Sequence, residues 1–324
     1  MQVVTEILYR SRLNLYRSIL SNPKFTIIDE SEHYLVVNKP APLLIHPSVP
    51  GNPPTLLDGV QDLLAYEMAN GAALSIINRL DRETSGLVLV AKNLSTARNF
   101  HKAMERRQSR KEYLAIVWGW PEDEHFTIDV PLRRAGEVRE SPIWVYQMVH
   151  PGGAASLTEC SVVRRFEKVT TNGQKFSLIR AKPHTGRMHQ IRVHLHHAGF
   201  PVVGDKIYGP SQQHYLDHIE TGWTPELERS LLLPRHALHS ASLTIPYGEG
   251  TLQWEAPLFD DLRQFLNPAI SSGPSSASSS SPPDRASACL DHQQPKKETG
   301  EEREHEGAQL FHGKPPLATP LGGH

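Results

Sequence analysis

Asp81 stands in the run Ile77-Asn78-Arg79-Leu80-Asp81-Arg82-Glu83-Thr84-Ser85-Gly86, a carboxylate between two arginines followed by two small hydroxyls and a glycine. Leu87-Val88-Leu89-Val90-Ala91-Lys92 comes next, an apolar run of strand length with the pattern of a strand covered on both faces. A carboxylate mounted just ahead of a buried strand is held in place, which is how a catalytic group is displayed. The alternative is a solvated aspartate in a polar loop. Gly86 suits a sharp entry into the strand, and Thr84 and Ser85 can bond loop N–H groups with their own oxygens.

Three other stretches carry chemistry. Lys111-Glu112-Tyr113-Leu114-Ala115 opens a second strand with a basic residue and a tyrosine, which reads either as a functional ring or as a core side chain. Asn38-Lys39-Pro40-Ala41-Pro42-Leu43-Leu44-Ile45-His46-Pro47 is extended by its prolines and offers Lys39 and His46 to a phosphate or base, or else to packing. Pro183 to Gly199 holds five histidines. It reads as a Thr185-Gly186 turn entering a helix that Gly199 ends, with an extended middle as the alternative, since Ile191, Val193 and Leu195 alternate. Its histidines lack the tight spacing and added carboxylate or thiolate of a zinc site, so no metal is expected. Polar contacts to phosphate suit them better.

The elements that must position these groups follow from periodicity. Helices are expected over 6–20, 56–69, 95–107 and 257–266, and strands over 25–28, 34–37, 111–119 and 251–255, with Arg235 to Ile245 turning into a further strand. Residues 159–166 and 175–182 read as an antiparallel pair around Thr171-Asn172-Gly173. Residues 120–157 read as loops, with turns at Val130–Arg134 and Pro151–Gly153. From Ser271 the chain turns to Ser, Pro, Gly and charge, and is expected to be a disordered tail. The expected organisation is a short helical extension over 1–22, one catalytic domain over 23–268 and the tail over 269–324.

The 34 basic and 35 acidic side chains leave a net charge of −1. Residues 271–324 hold 5 and 7 of them, leaving 29 and 28 for the rest, so a nucleic-acid site must come from clustered arginines. Candidates for phosphate contacts are Arg106, Arg107, Arg110, Lys111, Arg133, Arg134, Arg164, Arg165 and Arg187, each with a solvated surface charge as its alternative. Cys160 and Cys289 form neither a disulfide framework nor a zinc spacing and fit a reducing compartment. No apolar run approaches the roughly 18 residues of a membrane span, and the N-terminus lacks a signal core. A cytoplasmic protein is expected.

Taken in order, these motifs resemble the RluA-type RNA pseudouridine synthases. Asn78-Arg79-Leu80-Asp81 through Gly86 is similar to that family's catalytic-aspartate motif, Lys111–Ala115 to its tyrosine motif and Thr185–His194 to its arginine motif. Val37-Asn38-Lys39-Pro40, Val203-Gly204-Asp205 with Tyr208-Gly209, and Ala237-Leu238-His239 fall in the family's order. The resemblance runs over residues 25–255. The family commonly has histidine where this chain has Asn78, and an amide there can still donate and accept. Many members carry an N-terminal S4 domain, and this chain resembles the form without it.

The resemblance implies an α+β fold with a mixed, mainly antiparallel central sheet, flanking helices and loops. It implies isomerisation of uridine to pseudouridine in rRNA or tRNA, without cofactor or metal. Asp81 would attack C1′ or remove a C2′ proton, Arg192 would pair with it, and Tyr113 would stack on the uracil and take the C5 proton. One carboxylate suffices, because uracil is a stabilised leaving group and no water need enter, unlike the two that glycosidases use. The target base must leave its stack, and Arg79 would fill the gap. Arg82, Thr84, Lys39, His46, Arg187, His189, Gln190 and Leu238 complete the expected substrate contacts. RNA is the expected partner, and the protein is expected to be a monomer away from membranes. A non-catalytic RNA-binding factor on the same scaffold is the alternative, with a nucleoside hydrolase as a further rival that lacks a water-activating base.

Overall fold

A computed structural model describes residues 25–47, 54–171 and 173–267. The expected 6–20 helix, Asn172 and the 271–324 tail lie outside these residues. In chain order the elements are β1 (Thr26–Glu30), β2 (Tyr34–Lys39), α1 (Leu56–Leu63), α2 (Ala65–Ala69), β3 (Ser75–Ile76), β4 (Ser85–Ala91), α3 (Leu94–Glu105), β5 (Arg110–Trp118), β6 (His125–Asp129), β7 (Leu132–Arg134), β8 (Gln147–Val149), β9 (Leu157–Glu167), β10 (Lys175–Pro183), α4 (Gln190–His197), α5 (Gln213–Thr221), α6 (Pro225–Leu231), β11 (Leu238–Tyr247), β12 (Gly250–Glu255) and α7 (Asp260–Leu266). This is the mixed, mainly antiparallel α+β arrangement that the motifs imply.

The main sheet runs β1-β2-β4-β11-β5-β10-β9-β6, with β3 beside β4 and β12 beside β11. Among the described residues only the β4–β11 contact is parallel, and it spans two pairs, His239 with Ser85 and Ser240 with Gly86. On its other side β11 places Ser240 opposite Tyr113 of β5. Gly86, Ser240 and Tyr113 therefore lie in line across three strands, about 10 Å from first to last. That register delivers the Asp81 loop and Tyr113 to the same end of the sheet.

β4 is buried on both faces, as its composition predicts. Leu87, Leu89 and Ala91 pack with Phe100 and Ala97 of α3, while Val88 and Val90 pack with Leu56 and Val60 of α1. Gly86 has φ +116°, and a Cβ there would stand 2.2 Å from the Ser240 carbonyl oxygen. Only glycine permits so close a strand approach. On the other half of the sheet, Ile191 and Leu195 of α4 pack with Val117, Ile179 and Phe265, which carries Arg192 to the cleft.

Local signals explain the helices. Thr55 and Asp58 form a reciprocal cap on α1, Asn93 caps α3, and Thr224 caps α6 ahead of Pro225. Several expectations need correction. The expected 56–69 helix divides at Leu64 into α1 and α2. The arginine-motif helix starts only at Gln190, after His189 in left-handed backbone with φ 55°. Residues 120–157 are not purely loop. They supply three strands, and Leu132–Arg134 pairs with Gln147–Val149 instead of forming a turn.

Candidate active site

The loop from Ile77 to Thr84 is fastened on all sides. The Asn78 amide donates to the Leu87 carbonyl at 2.9 Å and accepts from the Leu89 N–H at 2.8 Å, tying the loop back onto β4. The Asn78 amide thus serves to fasten the loop. Thr84 N–H donates to the Asp81 carbonyl at 3.1 Å. Lys206 donates to Glu83 at 2.8 Å and to the Pro234 carbonyl at 2.6 Å. The Thr84 hydroxyl meets His236 Nε2 at 2.7 Å, and Ser85 meets His239 Nδ1 at 2.9 Å.

Asp81, so held, faces a cleft of about 670 Å³. Arg192 donates to Asp81 Oδ2 at 2.9 Å through one terminal nitrogen. Its Nε and other terminal nitrogen reach Asp205 at 2.6 and 2.9 Å, a bidentate pair. Asp205 Oδ1 also accepts the backbone N–H groups of Ile207 and Tyr208, each at 3.0 Å. Burial would raise the Asp205 carboxyl, but Arg192 overrides it and holds the acid well below the usual carboxylate range. Burial likewise disfavours the Arg192 cation, and Asp205 and then Asp81 outweigh it, so the guanidinium stays charged.

Tyr113 lines the same cleft. Burial, reinforced by the Asp81 charge and opposed by Ser240, pushes its phenol up to about 12, so it is protonated at neutral pH. His189 stands with Nδ1 2.9 Å from the Tyr208 hydroxyl and Nε2 3.8 Å from Asp81 Oδ2. Burial and then Arg192 lower it to about 4, so it is a neutral ring beside the carboxylate.

Of the expected site residues, the cleft brings together Asp81, Tyr113, Arg192, Arg79, Arg82, Thr84, His46, Arg187, His189, Gln190 and Leu238. Arg79, Arg82, His46 and Arg187 are exposed there. Lys39 does not join them. It is completely buried, and its ammonium donates to the carbonyls of Pro40, Leu43 and Arg82 at 3.0, 2.9 and 3.3 Å. Burial, then Arg235, lowers it to about 7. With all three donors engaged, it ties the loop down and has none left for a phosphate. Gln190 is similarly occupied: its carbonyl accepts from Thr185 Oγ1 and Arg187 N, and its amide donates to Leu157 O and Thr158 Oγ1. Arg133 and Arg134 pair with Glu137, and Arg165 with Glu124.

Sequence reasoning gave no role to Asp205, Glu83, Lys206 or His236. The available signal for Asp205 was its place in the Val203-Gly204-Asp205 motif. Gly204 has φ +77°, and a Cβ there would lie 2.0 Å from the Arg235 carbonyl oxygen, so the segment packs too closely for any other residue.

The model of the RNA pseudouridylate synthase family matches residues 33–197, a span that holds Asp81, Tyr113 and Arg192. The chain belongs to the RNA pseudouridylate synthase family. It is thus an isomerase that converts uridine to pseudouridine in RNA, the activity that the motif resemblance implies. Among curated relatives, ribosomal large subunit pseudouridine synthase D of Pseudomonas aeruginosa is 34% identical over 245 residues, which is 74% of this chain and 70% of that one. The dual-specificity RNA pseudouridine synthase RluA of Vibrio vulnificus is 37% identical over 189 residues, 58% of this chain and 70% of that one. The RluA-type resemblance is borne out by these relatives. Among solved structures, human RNA pseudouridylate synthase domain containing 1 aligns with TM-score 0.54 at 25% identity, covering 74% of this chain and 86% of that one. Human RNA pseudouridylate synthase domain containing 4 aligns at 0.58 and 21% identity, covering 80% and 96%, and supports the fold.

Proposed function

We propose that Asp81 performs the chemistry on a uridine flipped into the cleft, with ribosomal RNA as the substrate class. The observation that carries this reading is the Asp205–Arg192–Asp81 chain. Arg192 occupies Asp81 Oδ2, while Oδ1 has no hydrogen-bond partner among the described residues and is left for the sugar. The carboxylate either attacks C1′ or takes a C2′ proton. In both routes the N1–C1′ bond breaks, uracil turns, C5 bonds to C1′ and the C5 proton leaves; in the first C5 displaces Asp81 from C1′, and in the second Asp81 returns the proton to C2′. Tyr113 supports the uracil with its ring and takes the C5 proton, while its own phenolic proton goes to uracil N1, the nitrogen freed from the sugar. Arg79, exposed two residues before Asp81, fills the stack that the base vacates, at an unstacking cost of a few kcal/mol.

The ribosomal assignment rests on the large-subunit names of relatives. Residues 23–268 are read as the catalytic domain, flanked by 1–22 and 269–324, since the family match and all site residues fall inside it. One chain supplies every group in the cleft, which supports action as a monomer. The cysteine usage and a ribosomal substrate support the cytoplasm. Among the described residues no helix is long and apolar enough to cross a membrane. Tritium release from [5-³H]uridine-labelled ribosomal RNA tests the reading. Release without free uracil supports it, whereas free uracil or no release with intact RNA binding overturns it.

A further inference from the structure

A second, smaller hollow of about 190 Å³ is lined by the C-terminal end of α3, the start of β5 and the 183–187 turn. Lys111, Thr185 and Arg187 line both this hollow and the catalytic cleft, so the two share a wall. Arg107, Ser109, His184 and Glu105, its one carboxylate, complete the polar lining.

Two features mark the hollow as more than solvated surface. The Lys111 ammonium has no hydrogen-bond or ion-pair partner among the described residues, although burial is sufficient to lower its pKa. An unmatched, partly buried cation costs stability unless something anionic meets it. Arg107, moreover, holds φ +56° at the end of α3. Its N–H bonds the Met104 carbonyl at 3.1 Å and the next N–H, of Gln108, bonds the Ala103 carbonyl at 2.9 Å. This is the helix-ending motif whose left-handed position usually holds glycine. A charged side chain thus stands where the backbone favours none, and strained positions of this kind gather at functional sites. Arg187 engages the Ala155 carbonyl through Nε at 3.2 Å, and its terminal nitrogens have no partner among the described residues.

We propose that Lys111, with Arg107 and Arg187, forms a subsite for an RNA backbone phosphate flanking the target uridine. The inference rests on the reading of the adjoining cleft as the uridine site. A phosphodiester supplies the missing charge and acceptor oxygens, and the shared wall sets it beside a base in the cleft. Glu105, at the rim, excludes a second anion.

The test compares Lys111→Gln with its parent, both in the Asp81→Asn full-length chain, so that no turnover is needed. The ligand is a stem-loop RNA with an unpaired uridine, titrated across a potassium chloride series. Losing one phosphate contact should weaken binding about fivefold at 0.1 M salt and flatten the slope of log K against log salt by about 0.7. The same charge change at Arg164→Gln, an exposed arginine of β9 that lines neither cavity, should do less on both counts. Without RNA, Lys111→Gln should melt no lower than its parent, because it removes an uncompensated cation. Equal affinities and slopes, or an effect matched by Arg164→Gln, would overturn the subsite. So would inorganic phosphate raising the melting temperature of the parent but not of Lys111→Gln while RNA binds both equally, since the ligand would then be a free anion. Failure of Asp81 as the reacting group would show instead as turnover by Asp81→Asn, a separate result.

Discussion

Asp205 grips Arg192 through both carboxylate oxygens, and Arg192 spends its remaining terminal nitrogen on Asp81 at 2.9 Å. The reacting carboxylate is therefore oriented from thirteen residues beyond the arginine, by an acid with no exposure of its own. Asp205→Asn keeps the shape and removes the charge. Breaking such a buried pair costs about 3–5 kcal/mol, so the denaturation midpoint should fall and tritium release should slow, both measured on the same preparation. A midpoint and rate equal to wild type would mean that Arg192 needs no second carboxylate.

Asp81→Asn should abolish tritium release and leave RNA affinity largely unchanged. Filter binding beside the release assay checks both. Near-normal turnover would remove Asp81 from the chemistry.

Tyr113→Phe retains the ring and deletes the hydroxyl. Turnover should fall by about 10²–10⁴-fold, the usual contribution of a positioned proton acceptor, with binding preserved. A rate matching wild type would leave Tyr113 as a stacking surface alone.

Burial holds His189, His194 and His239 near 4, and keeps His236 well below its ordinary value. Each is neutral in the folded chain, whereas an unfolded histidine takes a proton near 6.5. Between pH 6.5 and 4 the unfolded state binds more protons, so stability should fall with acidity by about 1 kcal/mol per pH unit for each such ring. Urea titrations at several pH values measure the slope. A flat profile would mean that these rings are charged when folded.

Much of the architecture was legible because β4, β5 and β10 are long apolar or alternating runs whose burial leaves little choice of pairing. Asp81, Tyr113 and Arg192 were legible as motif members, and the β4–β11–β5 register explains why residues so distant in sequence share a cleft. Lys39 was misread because an exposed lysine and one donating to three carbonyls look alike in sequence. The two-helix segment α5–α6 went unnoticed: α5 buries no residue fully, and the Thr224-Pro225 start signal precedes only seven helical residues. Asp205 offered no periodicity, and its value comes wholly from a partner on another element.

The two-pair parallel junction of Ser85–Gly86 with His239–Ser240 joins stretches made far apart in time on the ribosome. Until roughly residue 240 has emerged, the strand bearing the Asp81 loop has β2 and β3 on one side but lacks β11 on the other, and no strand links Tyr113 to that loop. A nascent or truncated chain therefore carries every reactive side chain yet no working centre, and competence arrives late in synthesis, with the arrival of one strand.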